Sequence, residues 1–348
     1  MIYDLYILLI FVFGCEQNEI PIQPSMGELQ SYQIEMESDY KYQVFYNLEN
    51  NIVVKQNIKT EWDLAFESSQ DGWKIITNSA RFAQVSELVN SNFEDIIAID
   101  NLTWRWEDPK GIIEETAIGD YRQKNAIYII DRGFQIDGTN TGYKKITIDS
   151  INQNMYSIKY ANLDNTESRN IQIIKNDNYN FQYLSFEDDN LKEIEPKKED
   201  WDLIFTQYTE LYNDPELPPS YLVTGVLSNY LNNVLIAKDT VNNFEEIDNS
   251  MINLYAFQNK QDPPQSNSVT SMRRERYKHA HLLFQAEGID AVRAATRACR
   301  SVADCCKTSR RWACHSIDRS SRSSSCHVSG NCYNTFFSSF RFTVLLRL

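Results

Sequence analysis

Apolar and polar residues alternate over short stretches through most of the first 262 positions, the period of a half-buried strand. Tyr40–Tyr46, Ile52–Val54, Trp62–Phe66 and Trp73–Thr77 are rich in β-branched and aromatic residues, with Asn-rich turns and Asp71-Gly72 between them. Ala126–Ile130, Tyr143–Ile148, Tyr156–Tyr160, Ile171–Ile174 and Tyr179–Phe186 continue the series, punctuated by Asp137-Gly138 and Asn162–Asn165. A helical turn is expected at Phe93–Ile97 and a short helix at Val241–Asp248. Short strands at this spacing predict an all-β, antiparallel fold.

One segment occurs twice. Glu61-Trp62-Asp63-Leu64-Ala65-Phe66-Glu67 returns as Asp200-Trp201-Asp202-Leu203-Ile204-Phe205-Thr206. In an unbroken strand Trp, Leu and Phe would share one face and Asp would take the other. Both copies are therefore expected to anchor core, and to mark two related halves or two equivalent strands.

The N-terminus follows a different pattern. Leu5–Phe13 is a continuous apolar run that ends on Gly14-Cys15, too short to span a bilayer as a helix and suited to an export signal. Residues 1–15 are read as a lipoprotein signal segment with Cys15 as the lipidated residue, and 16–39 as a polar tether. Asp4 precedes the apolar run with no Lys or Arg, so a basic start is expected upstream. The β-rich domain spans 40–262.

Composition sharpens these limits. The net charge is −14, yet 14 of the 34 Lys and Arg and only 5 of the 48 Asp and Glu lie after residue 262. The acidic body repels phosphate backbones, which argues against nucleic acid as a partner. Cys15 is the only cysteine before residue 263, and all four histidines lie beyond it, so the body holds neither a disulfide nor a His-based triad or metal site. No phosphate-cradling glycine loop and no Gly-x-Ser-x-Gly elbow is present, and Glu114-Glu115 and Asp188-Asp189 read as solvated charges. The chain is read as a binding protein, not an enzyme.

After Pro263-Pro264 the composition turns to Arg, Ala, Ser and Cys, including Cys299, Cys305, Cys306, Cys314, Cys326 and Cys332. The spacings match no zinc motif. Because composition, charge and cysteine use switch together, residues 263–348 read as a C-terminus replaced by frameshift or fusion. This basic tail is expected to be helical or disordered, with a possible helix over Tyr277–Val302.

An ordered series of motifs runs through the body. It comprises Trp62–Glu67, Gly72-Trp73, Asn78-Ser79-Ala80, Ala117–Asp120, Tyr128–Gly133, Gly142–Lys145, Trp201–Tyr208 and Tyr221–Asn229. In order and spacing it resembles the HmuY-like haem-binding lipoproteins of the Gram-negative outer surface, over about 40–262. The resemblance implies a lipid-anchored protein of the outer membrane or cell surface. Such a protein captures haem for iron acquisition and passes it to an outer-membrane haem transporter. The best-known member ligates haem with two histidines, which this body lacks; others are thought to use methionine. Of Met26, Met36, Met155 and Met251, only Met155 sits centrally among strands, so it is the candidate axial ligand; tyrosine ligation is the alternative, with twenty tyrosines leaving the choice open. Arg81, Arg105, Arg122, Arg132 and Arg169 are candidate propionate partners. The alternative is a surface lipoprotein of the same fold that binds a glycan or a protein partner without haem, using Trp104 and Trp106.

Overall fold

The structure, a computed structural model, describes residues 29–109, 111–211, 219–239, 251 and 254–255, and the backbones of strands 269–273, 280–286 and 341–347. The fold is all-β. Among the described residues there are nineteen strands, every pairing is antiparallel, and the helices are single 3₁₀ turns. All nine strands expected from the alternation form within a few residues of their predicted bounds. Gln84–Val89, Asn190–Lys192, Ser220–Ser228 and Leu235–Asp239 are additional. Phe93–Asp95 forms the expected helical turn, and Val241–Asp248 lies outside the described residues.

Two four-stranded sheets form the middle of the molecule. One runs in the order Asn190–Lys192, Phe181–Ser185, Leu64–Glu67, Ile75–Thr77; the other in the order Ser220–Ser228, Leu203–Leu211, Tyr42–Asn47, Ile52–Ile58. A six-stranded sheet orders Arg169–Ile174, Met155–Ala161, Tyr143–Ile151, Ala126–Asp131, Gln84–Val89 and Arg105–Trp106. Strands of the tail join the body in a fourth sheet, ordered Leu29–Glu35, Arg341–Arg347, Ala280–Ala286, Val269–Arg273, Leu235–Asp239.

The repeated segment belongs to a repeated unit. Each unit opens with a hairpin, Tyr42–Asn47 with Ile52–Ile58 or Phe181–Ser185 with Asn190–Lys192. It continues through Lys59–Phe66 or Lys198–Phe205, then a return strand, Ile75–Thr77 or Ser220–Ser228. An asparagine follows, then a 3₁₀ turn, and then a left-handed residue, Phe82 or Asn233. Asn78 donates its side-chain amide to the carbonyls of Lys59 (2.7 Å) and Trp62 (2.8 Å); Asn229 does the same to Lys198 (2.8 Å) and Trp201 (3.0 Å). The asparagine backbone N–H in turn donates to the Asp63 or Asp202 carbonyl, at 3.0 and 2.8 Å. Each asparagine thus closes carbonyls that precede the strand.

The units exchange their hairpins. Phe181–Ser185, which opens the second unit, pairs with Leu64–Glu67 of the first, and Tyr42–Asn47 of the first pairs with Leu203–Leu211 of the second. The aspartates fix both exchanges in the same way. Asp63 Oδ2 accepts from the Phe186 N–H at 2.7 Å, and Asp202 Oδ2 accepts from the Leu48 N–H at 2.9 Å.

The expected face-sharing of Trp, Leu and Phe does not hold. Leu64 and Phe66 enter the core of the first unit with Ile75, Val85, Tyr128, Ile130, Tyr156 and Leu184. Leu203 and Phe205 enter that of the second, with Met36, Val44, Tyr46, Val226 and Ile236. Both tryptophans turn the other way, into a third cluster with Phe45, Ala65, Tyr183 and Ile194. The reason is local: the pleat begins at Leu64 and Leu203, so Trp-Asp lies before the strand and escapes its alternation. The aspartate is held instead by its own partners. Asp63 is buried, 2.8 Å from Arg81 Nη1 and 2.9 Å from Arg132 Nε. At Gly133 (φ 67°) an added Cβ would stand 2.0 Å from the Arg81 carbonyl oxygen, so only glycine lets the two backbones pass.

Two boundaries differ from expectation. Residues 29–35 of the expected tether form a strand, and Ile34 and Met36 are buried in the second unit's core. Residues 280–286, expected within a helix over Tyr277–Val302, form a strand instead. An apolar run this short serves either period, and the antiparallel neighbour Val269–Arg273 supplies its backbone partners. The remainder of that helix, the signal segment with Cys15, and the six tail cysteines lie outside the described residues.

Candidate functional site

The third cluster borders a cavity of ≈ 120 Å³ between the two four-stranded sheets. That is roughly ten times the 10–15 Å³ that one water molecule occupies by the same measure. Phe45, Trp62, Phe181, Tyr183, Trp201 and Tyr230 supply its aromatic walls. Exchange of the hairpins brings them together: Trp62 meets Tyr183 edge-on at 5.0 Å, and Trp201 meets Phe45 edge-on at 5.0 Å, one pair from each crossing. Edge-to-face pairs of this kind contribute about 0.5–1.5 kcal/mol beyond the area they bury.

Two buried glutamates also line the cavity. Glu107 follows the strand Arg105–Trp106, and its Oε2 accepts from the Thr77 N–H (3.0 Å), the Thr77 hydroxyl (3.3 Å) and the Ala117 N–H (3.3 Å). Glu195 accepts from the Phe181 N–H at 2.8 Å and from the Tyr183 hydroxyl at 3.4 Å. Burial pushes each carboxyl up to about 8, which favours the neutral acid. Burial likewise holds the Tyr183 and Tyr230 phenols above their usual range.

A glycine shapes one wall. Gly111 (φ 81°) packs against Tyr230 so closely that an added Cβ would lie 2.7 Å from the phenol oxygen. From the opposite side, the Lys74 ammonium stands 5.2 Å over the Tyr230 ring and 3.4 Å from its hydroxyl.

The two units differ at the tryptophans. Trp62 Nε1 donates to Gln43 Oε1 at 2.9 Å. The position of the second unit that corresponds to Gln43 is Phe181, which offers no acceptor, and Trp201 Nε1 is buried without a partner among the described residues. Glu107 Oε1 is also buried without a partner.

The residues expected from sequence lie elsewhere. Met155 opens the strand Met155–Ala161 and is half-buried on the face opposite Tyr156, Ile158 and Tyr160, away from the cavity lining. Trp104 packs on Tyr143 (6.0 Å) and Trp106 on Phe82 (6.2 Å), so both serve packing outside the cavity. The five arginines are engaged. Arg81 and Arg132 hold Asp63, and Arg105 donates to the carbonyls of Glu114 and Thr116. Arg122 holds Asp120, whose carboxyl it draws down to about 2, and Arg169 pairs with Asp189. Asp188 pairs with Lys192.

Haem needs an axial ligand and partners for two propionates. Among the described residues that line the cavity there is no His, Met or Cys; burial holds the phenols of Tyr183 and Tyr230 protonated, the form that ligates iron poorly; and Lys74 is the one basic side chain against Glu107, Asp108 and Glu195. That lining does not fit haem. It suits a small ring that meets aromatic walls and a few neutral hydrogen-bonding groups. Sequence reading placed the two tryptophans in the core and missed Glu107, Glu195, Tyr183 and Tyr230, which no short motif marks. Comparison with family models, with curated proteins and with solved structures finds no match for this chain.

Proposed function

We propose that this chain is a non-enzymatic binding protein of the cell surface, anchored through Cys15, whose ligand occupies the cavity between the two units. The observation that carries this reading is the aromatic cavity itself. The two Trp-Asp-Leu copies turn their indoles toward a partly open space of ≈ 120 Å³ with aromatic walls. Calorimetric titration of the full chain with phenol, a small ring with one hydroxyl, is expected to give saturable heat. Leu227→Trp, which fills the cavity from its wall, is expected to abolish it. Unchanged phenol affinity in that variant, with its circular dichroism intact, would overturn the reading.

Haem capture has separate support in the ordered motif series shared with the HmuY-like lipoproteins. In that reading Met155 serves as the axial ligand and an outer-membrane haem transporter is the receiving partner. Titration of the full chain with haemin is then expected to shift the Soret band, and Met155→Ala to weaken the shift. A folded chain with no spectral change in either redox state removes this second reading.

A further inference from the structure

We infer that the cavity takes a small organic cation with a fully alkylated nitrogen, about one ring in size, held on the aromatic walls rather than by hydrogen bonds. The inference rests on the reading of the cavity as a ligand site and names the ligand's charge and chemistry.

The walls offer rings and few available polar groups. Gln43 is committed to Thr206, Asn57 and Trp62. Asn180 donates to Asn229, and the Thr116 hydroxyl donates to the Ile113 carbonyl. Glu107 Oε2 is taken up by Thr77 and Ala117. Trp201 Nε1 and Glu107 Oε1 have no partner among the described residues, but both atoms are closed off from the space and reach no occupant. A sugar, or an amine that keeps its N–H groups, would leave water and gain little in return. A fully alkylated cation has no donor to satisfy, and its C–H groups pack on aromatic faces.

Charge selects a cation over a neutral ring. Glu107, Asp108 and Glu195 line the cavity against the single ammonium of Lys74. Glu107 and Glu195 are each 2 % exposed, and among the described residues neither forms an ion pair. Carboxyls buried to this degree are seldom left without a cation. Burial favours the neutral acid of each, and a cation in the space works the other way, because opposite charge favours the carboxylate. That attraction acts across several ångströms and needs no contact with the sealed oxygen.

One ammonium already stands on these walls. Lys74 Nζ lies 5.2 Å from the centroid of the Tyr230 ring, a distance at which an aromatic face attracts a cation. The chain itself thus places positive charge against an aromatic wall of the cavity. Lys74 is also a competing charge for any cation that enters, which gives its removal a defined sign.

Calorimetry on the full chain with N-methylpyridinium, its neutral isostere toluene, benzoate and phenol tests this. N-methylpyridinium is expected to bind about tenfold more tightly than toluene, the scale of a desolvated cation on aromatic faces. Tyr230→Leu removes one wall and should weaken the cation about fivefold, with toluene changed by less than about twofold. Lys74→Met removes the competing charge and should tighten the cation about threefold while toluene holds. Circular dichroism of each variant checks that the fold survives. Toluene or benzoate binding as tightly as the cation, or phenol binding without it, overturns the cation inference and leaves the cavity reading standing. Cation binding that is indifferent to both variants places the cation elsewhere and overturns the inference. No binding of any probe to the folded chain overturns both.

Discussion

Asp63→Ala is expected to cost about 3–5 kcal/mol of folding stability, the usual penalty for removing one partner of a buried ion pair. Its carboxylate stands between two guanidiniums, 2.8 Å from Arg81 Nη1 and 2.9 Å from Arg132 Nε, with both arginine side chains at most 8 % exposed. Among the described residues Arg81 keeps the Thr141 hydroxyl and the distant Thr60 carbonyl, and Arg132 keeps Glu187 at the surface and the Phe186 ring 5.9 Å away. Two cations would then face each other with little to separate them. The same change removes the acceptor for the Phe186 N–H, so it also loosens the exchanged hairpin. Urea unfolding of the full chain, read by tryptophan fluorescence, measures the loss. A cost below about 1 kcal/mol, the range of exposed ion pairs, would show that the pair is hydrated and the network unimportant.

Stability is expected to fall as the pH rises from 5 to 7, the opposite of the usual carboxylate trend. The unfolded chain carries Glu107 and Glu195 at their ordinary 4.5, whereas the fold holds each up to about 8. Between those values the folded chain binds the proton and the unfolded chain does not. Unfolding therefore releases protons and is favoured by higher pH. The contribution is fully present below about 4.5, is lost through about 8 and is level above. Each group accounts for roughly 2–3 kcal/mol between pH 5 and pH 7 at 1.36 kcal/mol per unit. Glu107→Gln removes one of the two protons, so the variant's stability should decline about half as steeply over this window and exceed that of the parent chain at pH 7. Denaturant midpoints at pH 5, 6 and 7 for both proteins decide the matter. An unaltered slope in the variant would mean that Glu107 is ionised in the fold.

Much of the architecture was legible in the sequence because strand periodicity is local. Ala126–Asp131 and Tyr143–Ile151 announce themselves through runs of Ile and Tyr, and they form as expected. Leu29–Glu35 was hidden: Tyr32, Ile34 and Met36 alternate, but Gln, Ser and Glu around them read as a tether. Only the tail strands and the second unit's core give that alternation a partner. The tryptophans fail the alternation rule for the opposite reason. Their strand had been extended two residues too far, across an aspartate whose ion pairs and hydrogen bonds take the chain out of the pleat.

The candidate site divides along the same line. By itself the sequence determined that the fold is antiparallel β, that the Trp-Asp-Leu segment occurs twice, and that residues 1–262 hold no histidine. Each is a property of neighbours along the chain or of composition. Tertiary structure alone decided that the units exchange hairpins, that both indoles turn into one shared cavity, and that Glu107 and Glu195 are buried beside them. The exchange and the shared cavity depend on contacts between residues more than a hundred positions apart, whereas Glu107 and Glu195 take their hydrogen bonds from residues 10 to 30 positions away. A carboxyl's charge and an indole's missing partner depend on what surrounds them, and those surroundings exist only once the chain has folded.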